Sequence, residues 1–191
     1  MSSKETILNQ IRKNKPKGGT QLSGFDFSPY PNGIDDFKAT LEKVGGKLVL
    51  KRDIKDLHTW IKKEYGSDNY VFTEVDSIVG NYTLNEMSIT NEKLNKIHVA
   101  VLAGSIGIAE NGAVWLERFL HRSIPFITQH LVIFLSSDAI VGTMHEAYQI
   151  INKKELPSFG IFISGPSKTA DIEQSLIYGA HGPRSLTVIV E

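Results

Sequence analysis

Two short apolar, β-branched runs, GIFIS at 160–164 and LTVIV at 186–190, frame the strongest constraint on the fold. Each has the length of a buried strand. GPSKT follows the first run, residues 169–178 carry helical spacing, and Gly179 supplies a helix stop. The pattern predicts a strand–helix–strand unit whose two strands run parallel. About ten helical residues, at ~1.5 Å of rise each, would hold the two turns roughly 15 Å apart. Ligands in parallel α/β units gather at the carboxyl ends of strands. GPSKT is therefore expected at that edge and the GAHGPR turn at the opposite one.

The preceding residues keep the same rhythm. Helical spacing over 35–44 ends at Gly45-Gly46, 47–50 reads as a strand, and Asp53 is a plausible N-cap for a helix reaching Tyr65 before Gly66. Strands follow at 70–73 and 97–103, with a polar stretch at 76–96 that reads as a loop with a small hairpin. Residues 106–110 and 113–116 predict a hairpin around Asn111-Gly112, a pair suited to the positive-φ positions of a type I′ turn. A buried strand at 131–135 and a helix at 143–151 complete the series. The expected architecture is one α/β domain over 34–191, with a mainly parallel sheet flanked by helices. Residues 1–33 read as an N-terminal helix, with Ile7, Leu8 and Ile11 on one stripe, and an irregular arm packing through Phe25, Phe27 and Tyr30.

Composition narrows the chemistry. With 21 basic and 21 acidic residues, no net field favours nucleic acid or an anionic membrane. The basic residues Lys4, Arg12, Lys13, Lys15 and Lys17 read as a solvated arm. There is no cysteine, which rules out disulfides, thiolate nucleophiles and a cysteine-held iron–sulfur cluster within this chain. No run approaches the roughly 20 apolar residues of a membrane span, and the first residues lack a signal-peptide core, so a cytoplasmic location is expected.

Three places carry candidate chemistry. In GPSKT, backbone N–H groups at a helix start, the charge of Lys168 and the hydroxyls of Ser167 and Thr169 suit a small anion. Gly165 would line that site with Glu110 and Asn111, while Asp171 would orient Lys168 or cap the helix. It is not a Walker loop, and the nearby acids Asp171 and Glu173 favour a carboxylate-sized or hydroxylated ligand over a polyphosphate. A well-capped helix start accounts for the same residues. Glu110, directly before a tight turn, is a candidate nucleophile or general base if desolvated, and otherwise a solvated hairpin glutamate. His181, Gly182 and Arg184 suit a locked turn or a partner-facing surface. His121 and His130 lack metal-ligand spacing, His145-Glu146 is not part of HExxH, and neither G-x-S-x-G nor G-x-G-x-x-G occurs.

ISGPSKTADIEQSLIYGAHGPRSLTVIV and AENGAVWLE followed by IPFITQHLVIFL resemble the signatures of the lactate utilization (LUD) domain family, over about residues 97–191. The resemblance implies a fold like that of the CoA-transferase, ribose-5-phosphate isomerase and glucosamine-6-phosphate deaminase superfamily. It also implies a subunit that supports oxidation of L-lactate to pyruvate with iron–sulfur partner subunits, which would carry the clusters this chain lacks. AENG is similar as well to the SENG segment of family I CoA-transferases, with Ala109 in place of the serine. That likeness implies the alternative of Glu110 as acyl-accepting nucleophile. A non-catalytic assembly subunit docking through the HGPR face is the third possibility.

Overall fold

The computed structural model describes residues 3–14, 30–66, 70–73, 75, 82–83, 90–117, 121–153, 157–169, 177–179 and 181–191. Its elements in chain order begin with α1 (Ser3–Lys13), α2 (Ile34–Lys43), β1 (Lys47–Leu50), α3 (Leu57–Tyr65), β2 (Tyr70–Thr73) and β3 (Tyr82–Thr83). The middle holds α4 (Asn91–Lys96), β4 (Ile97–Ala103), β5 (Ile106–Ile108), β6 (Ala113–Glu117), α5 (Ile124–Ile127) and β7 (His130–Leu135). Then come β8 (Ile140–Val141), α6 (Met144–Asn152), β9 (Gly160–Ser164), β10 (Lys168–Thr169), β11 (Ile177–Tyr178) and β12 (Ser185–Val190).

Six strands form a parallel sheet in the order β1-β12-β7-β4-β2-β3. Its central strands are apolar on both faces, as a parallel sheet covered on both sides requires. Leu186, Val188 and Val190 of β12, with Leu131, Ile133 and Leu135 of β7, face Phe37 and Leu41 of α2 and the buried side of a second sheet. Val132, Phe134 and Ile189 point the other way, under Ile61 and Trp60 of α3. The second sheet, β8-β5-β6-β9, is mixed and carries α6 on its outer face through Ala147 and Ile151. The mainly parallel α/β architecture with flanking helices is thus present.

Several local expectations are corrected. β9 and β12 do not belong to one strand–helix–strand unit. β9 pairs antiparallel with β6 in the small sheet, whereas β12 lies inside the large one, between β1 and β7. The ends of the expected 169–178 helix are strands instead: Lys168 pairs with Tyr178 and Thr169 with Ile177, antiparallel. Thr169, Ile177 and Tyr178 are β-branched or aromatic and suit that pairing. Residues 170–176 lie outside the described residues.

The hairpin between β5 and β6 exists, but Ile108 pairs with Ala113, so residues 109–112 form a four-residue loop closed by Gly112 N–H donating to Ile108 O at 2.9 Å. The N-cap of α3 is Asp56, whose carboxylate accepts from Thr59 N–H at 2.8 Å; Asp53 sits in a preceding 3-10 turn. Within 76–96, β3 adds in parallel to β2 and α4 precedes β4, where a hairpin was expected. In the arm, Tyr30 is 40 % exposed, and Ile7, Leu8 and Ile11 all face solvent along α1. Phe25 and Phe27 lie outside the described residues. No helix among the described residues is long and apolar enough to cross a membrane.

Candidate functional site

Two turns expected at opposite edges meet at one. α2 ends in Gly45 (φ 86) and Gly46, which feed the amino end of β1. Gly165 (φ 76) packs on the end of that helix so closely that a Cβ there would lie 2.3 Å from Val44 O. Only glycine accommodates both the conformation and the contact. Two residues on, Ser167 N–H donates to Pro183 O at 2.9 Å, and Ser167 O accepts from Gly179 N–H at 2.9 Å. A Cβ on Gly182 would stand 3.0 Å from the Ser167 Cβ. Arg184 N–H, directly before β12, donates to Gln129 O, directly before β7, at 2.7 Å. GPSKT and HGPR therefore sit together at the amino edge of the large sheet. The carboxyl edge is elsewhere, where Lys51 pairs with Glu191 and Ser137 N–H donates to Glu191 O.

At this amino edge Lys168 is exposed, with its ammonium 5.7 Å from the Tyr178 ring centroid. Its Cε comes within 3.4 Å of where a Cβ on Gly45 would sit. The carbonyl end of α2 favours a cation there. The hydroxyl of half-buried Ser167 makes no hydrogen bond among the described residues. Asp171 lies outside the described residues.

The 109–112 loop is differently employed. Glu110 Oε1 accepts from Met144 N–H at 2.7 Å, and Glu110 N–H donates to Gly142 O at 3.0 Å, so this carboxylate caps the start of α6. Thr143 and Glu146 complete that start as a capping box. Asn111 Oδ1 accepts from Ala113 N–H at 3.0 Å, and Asn111 O accepts from the Ser164 hydroxyl at 2.7 Å. Thr40 of α2 donates to Ala109 O at 2.6 Å. Among the described residues the loop meets Ser164, directly before GPSKT, through its Asn111 carbonyl. His181 and Arg184 are exposed and Gly182 is half-buried, all on the turn that holds Ser167.

One group at the same edge was not anticipated. His130 opens β7 and His98 lies near the start of β4, with ring centroids 5.0 Å apart; Tyr65 stacks on His130 at 4.9 Å. Scanning for metal-ligand spacing along the chain misses such a pair, because register between strands brings it together. The visible signal was a cationisable residue at the head of three apolar runs: His98, His130 and Arg184. Burial holds both imidazoles below the usual histidine range, reinforced at each by the Arg184 charge and at His130 by His98 as well. Burial also pushes the Tyr65 phenol up to about 12, although its hydrogen bond with Thr187 works against that. Among the described residues no three His, Asp or Glu side chains gather as metal ligands.

Comparison with known proteins settles the family. Residues 83–190 match the profile of the LUD domain. The chain belongs to the LUD domain family. It is 32% identical over 162 residues to "Lactate utilization protein C" of Anoxybacillus flavithermus, covering 81% of this chain and 70% of that protein. Against "Lactate utilization protein C" of Shouchella clausii it is 29% identical over 195 residues, or 99% of this chain and 80% of the relative. A crystal structure of a DUF162 family protein from Deinococcus radiodurans shares the fold, with a TM-score of 0.57 at 17% identity over 82% of this LUD chain and 94% of that one.

Proposed function

We propose that this LUD protein acts in lactate utilization, supporting oxidation of L-lactate to pyruvate beside iron–sulfur partner subunits. The observation that carries this is the 32% identity to a lactate utilization protein C across most of both chains. This chain has no cysteine, so the clusters would reside in the partners. Its own contribution is to bind a small anion or hydroxy acid through Lys168, Ser167 and Thr169, with Gly165 fixing the turn that presents them. Support comes from the exposed ammonium and from a Ser167 hydroxyl that makes no hydrogen bond among the described residues, on one turn braced by Gly179 and Pro183.

Calorimetry with L-lactate tests the site: Lys168→Ala should weaken binding about tenfold, the loss of one charge-assisted contact, and unchanged affinity removes Lys168 from it. The alternative, Glu110 as acyl acceptor, would require its carboxylate to leave Met144 N–H. A Glu110→Gln protein that still restores growth on L-lactate to a deletion strain eliminates that alternative.

A further inference from the structure

Three neighbouring strands enter the large sheet at the amino edge, and each brings a cationisable side chain to it. Arg184 precedes β12, His130 opens β7 and His98 is the second residue of β4. Register sets the three backbone positions side by side, since Ser185 pairs with His130, His130 with Val99, and Arg184 N–H donates to Gln129 O. Alternation along β7 turns His130 to the same face as Val132 and Phe134, the face under α3.

The rings are held in place. His130 Nδ1 lies 2.7 Å from the Ser185 hydroxyl, and its ring sits between Tyr65 and His98. Tyr65 is fixed by Thr187 at 2.9 Å. The Thr128 hydroxyl, fully buried, reaches His98 O at 3.0 Å and His130 O at 3.1 Å. Both imidazoles remain half-buried rather than sealed, and Arg184 is exposed, so a solute can reach the cluster.

The charge balance is one-sided. The charges acting on the imidazoles are Arg184 and, at His130, the other histidine. Glu64, the acid beside Tyr65, is engaged by Lys47 at 3.0 Å. No carboxylate among the described residues pairs with either imidazole. Such a cluster has one fixed positive charge, two more that appear on protonation, and hydroxyls alongside.

We infer that this cluster binds a dianionic oxyanion, specifically a phosphate group, gripped by the Arg184 guanidinium and by the protonated rings of His98 and His130. The planar guanidinium fork matches an oxyanion's paired oxygens. A monocarboxylate offsets only one of the three charges, whereas a dianion supplies the counter-charge that makes protonating the rings favourable. Binding therefore takes up protons, which are released when the anion leaves. The site uses none of Lys168, Ser167 and Thr169 and does not depend on the role proposed for them.

Sulfate is a suitable first probe because it stays dianionic across the working range, so any pH dependence belongs to the protein. Calorimetry at constant ionic strength should give a Kd at least tenfold tighter at about pH 5.5 than at about pH 7.5, the signature of one or more protons taken up. Inorganic phosphate should compete with sulfate, and L-lactate should not. Arg184→Gln should weaken sulfate binding at least tenfold. His98→Gln should flatten the pH dependence; its ring makes no hydrogen bond among the described residues, so it tests the site even if His130→Gln fails to fold. Equal affinity at both pH values, or an Arg184→Gln protein that binds like the wild type, overturns the inference.

Discussion

The 109–112 loop and the 165–169 turn carry similar-looking polar residues and stand one hydrogen bond apart, yet they differ in what is left over. In the first, the carboxylate of Glu110, the amide of Asn111 and the carbonyls of Ala109 and Asn111 are all engaged within the fold. In the second, the backbone of Ser167 is engaged on both sides, while Lys168 is exposed and the half-buried Ser167 hydroxyl makes no hydrogen bond among the described residues. A polar residue already committed to a helix cap must first break that contact to meet a ligand, at a cost of roughly 1–3 kcal/mol for a charged group. Conspicuous residues in a sequence are therefore of two kinds, those that hold the backbone and those that the backbone holds.

Substitutions should separate the two kinds by size of effect. Gly165→Ala forces a side chain into a positive-φ position against Val44 O, and chemical denaturation should show a loss of about 3 kcal/mol. Lactate binding should fall with it, because the turn presenting Lys168 is displaced. Glu110→Ala removes the acceptor for Met144 N–H and should cost about 1–2 kcal/mol, with little change in lactate affinity per folded molecule. An equal loss of affinity would place the 109–112 loop in the site.

Acidification should act at the amino edge. Both imidazoles have folded-state values depressed below the ordinary ~6.5, so the unfolded chain takes up protons first. Their contribution is complete above about pH 6.5 and is lost as pH falls toward the folded values. The melting temperature should drop over that window, and less so in His98→Gln. The smallest effect belongs to Lys168→Ala, within ~0.5 kcal/mol for an exposed side chain, even though it is the substitution expected to matter most for lactate.

Much of the fold was legible because buried parallel strands write themselves as apolar runs. IHVAVLA, HLVIFL and SLTVIV are strands where expected, and Gly45 stops α2 as its position suggests. What local pattern does not encode is sheet membership. GIFIS and LTVIV look like sisters, yet one is an edge of the mixed sheet and the other an interior strand of the parallel one. The helical spacing of 169–178 was outweighed at both ends by cross-strand pairing between Lys168 and Tyr178. That pairing brings together the two turns that a helix would have kept apart. The candidate residues on GPSKT and HGPR were visible as unusual, whereas their common address, and the histidines beside it, depend on register between strands far apart in sequence.

The position of β12 has a consequence for how the molecule is made. Residues 185–190 are translated after both of the strands they join, forming the seam between β1 and β7. Until they emerge, the nascent protein holds β1 and the β7-β4-β2-β3 group as two pieces with raw edges, each a template for the wrong neighbour. Closure then joins residues as distant as Lys47 and Thr187, a slow kind of contact to establish. The ribosome delivers this keystone only after the strands it joins.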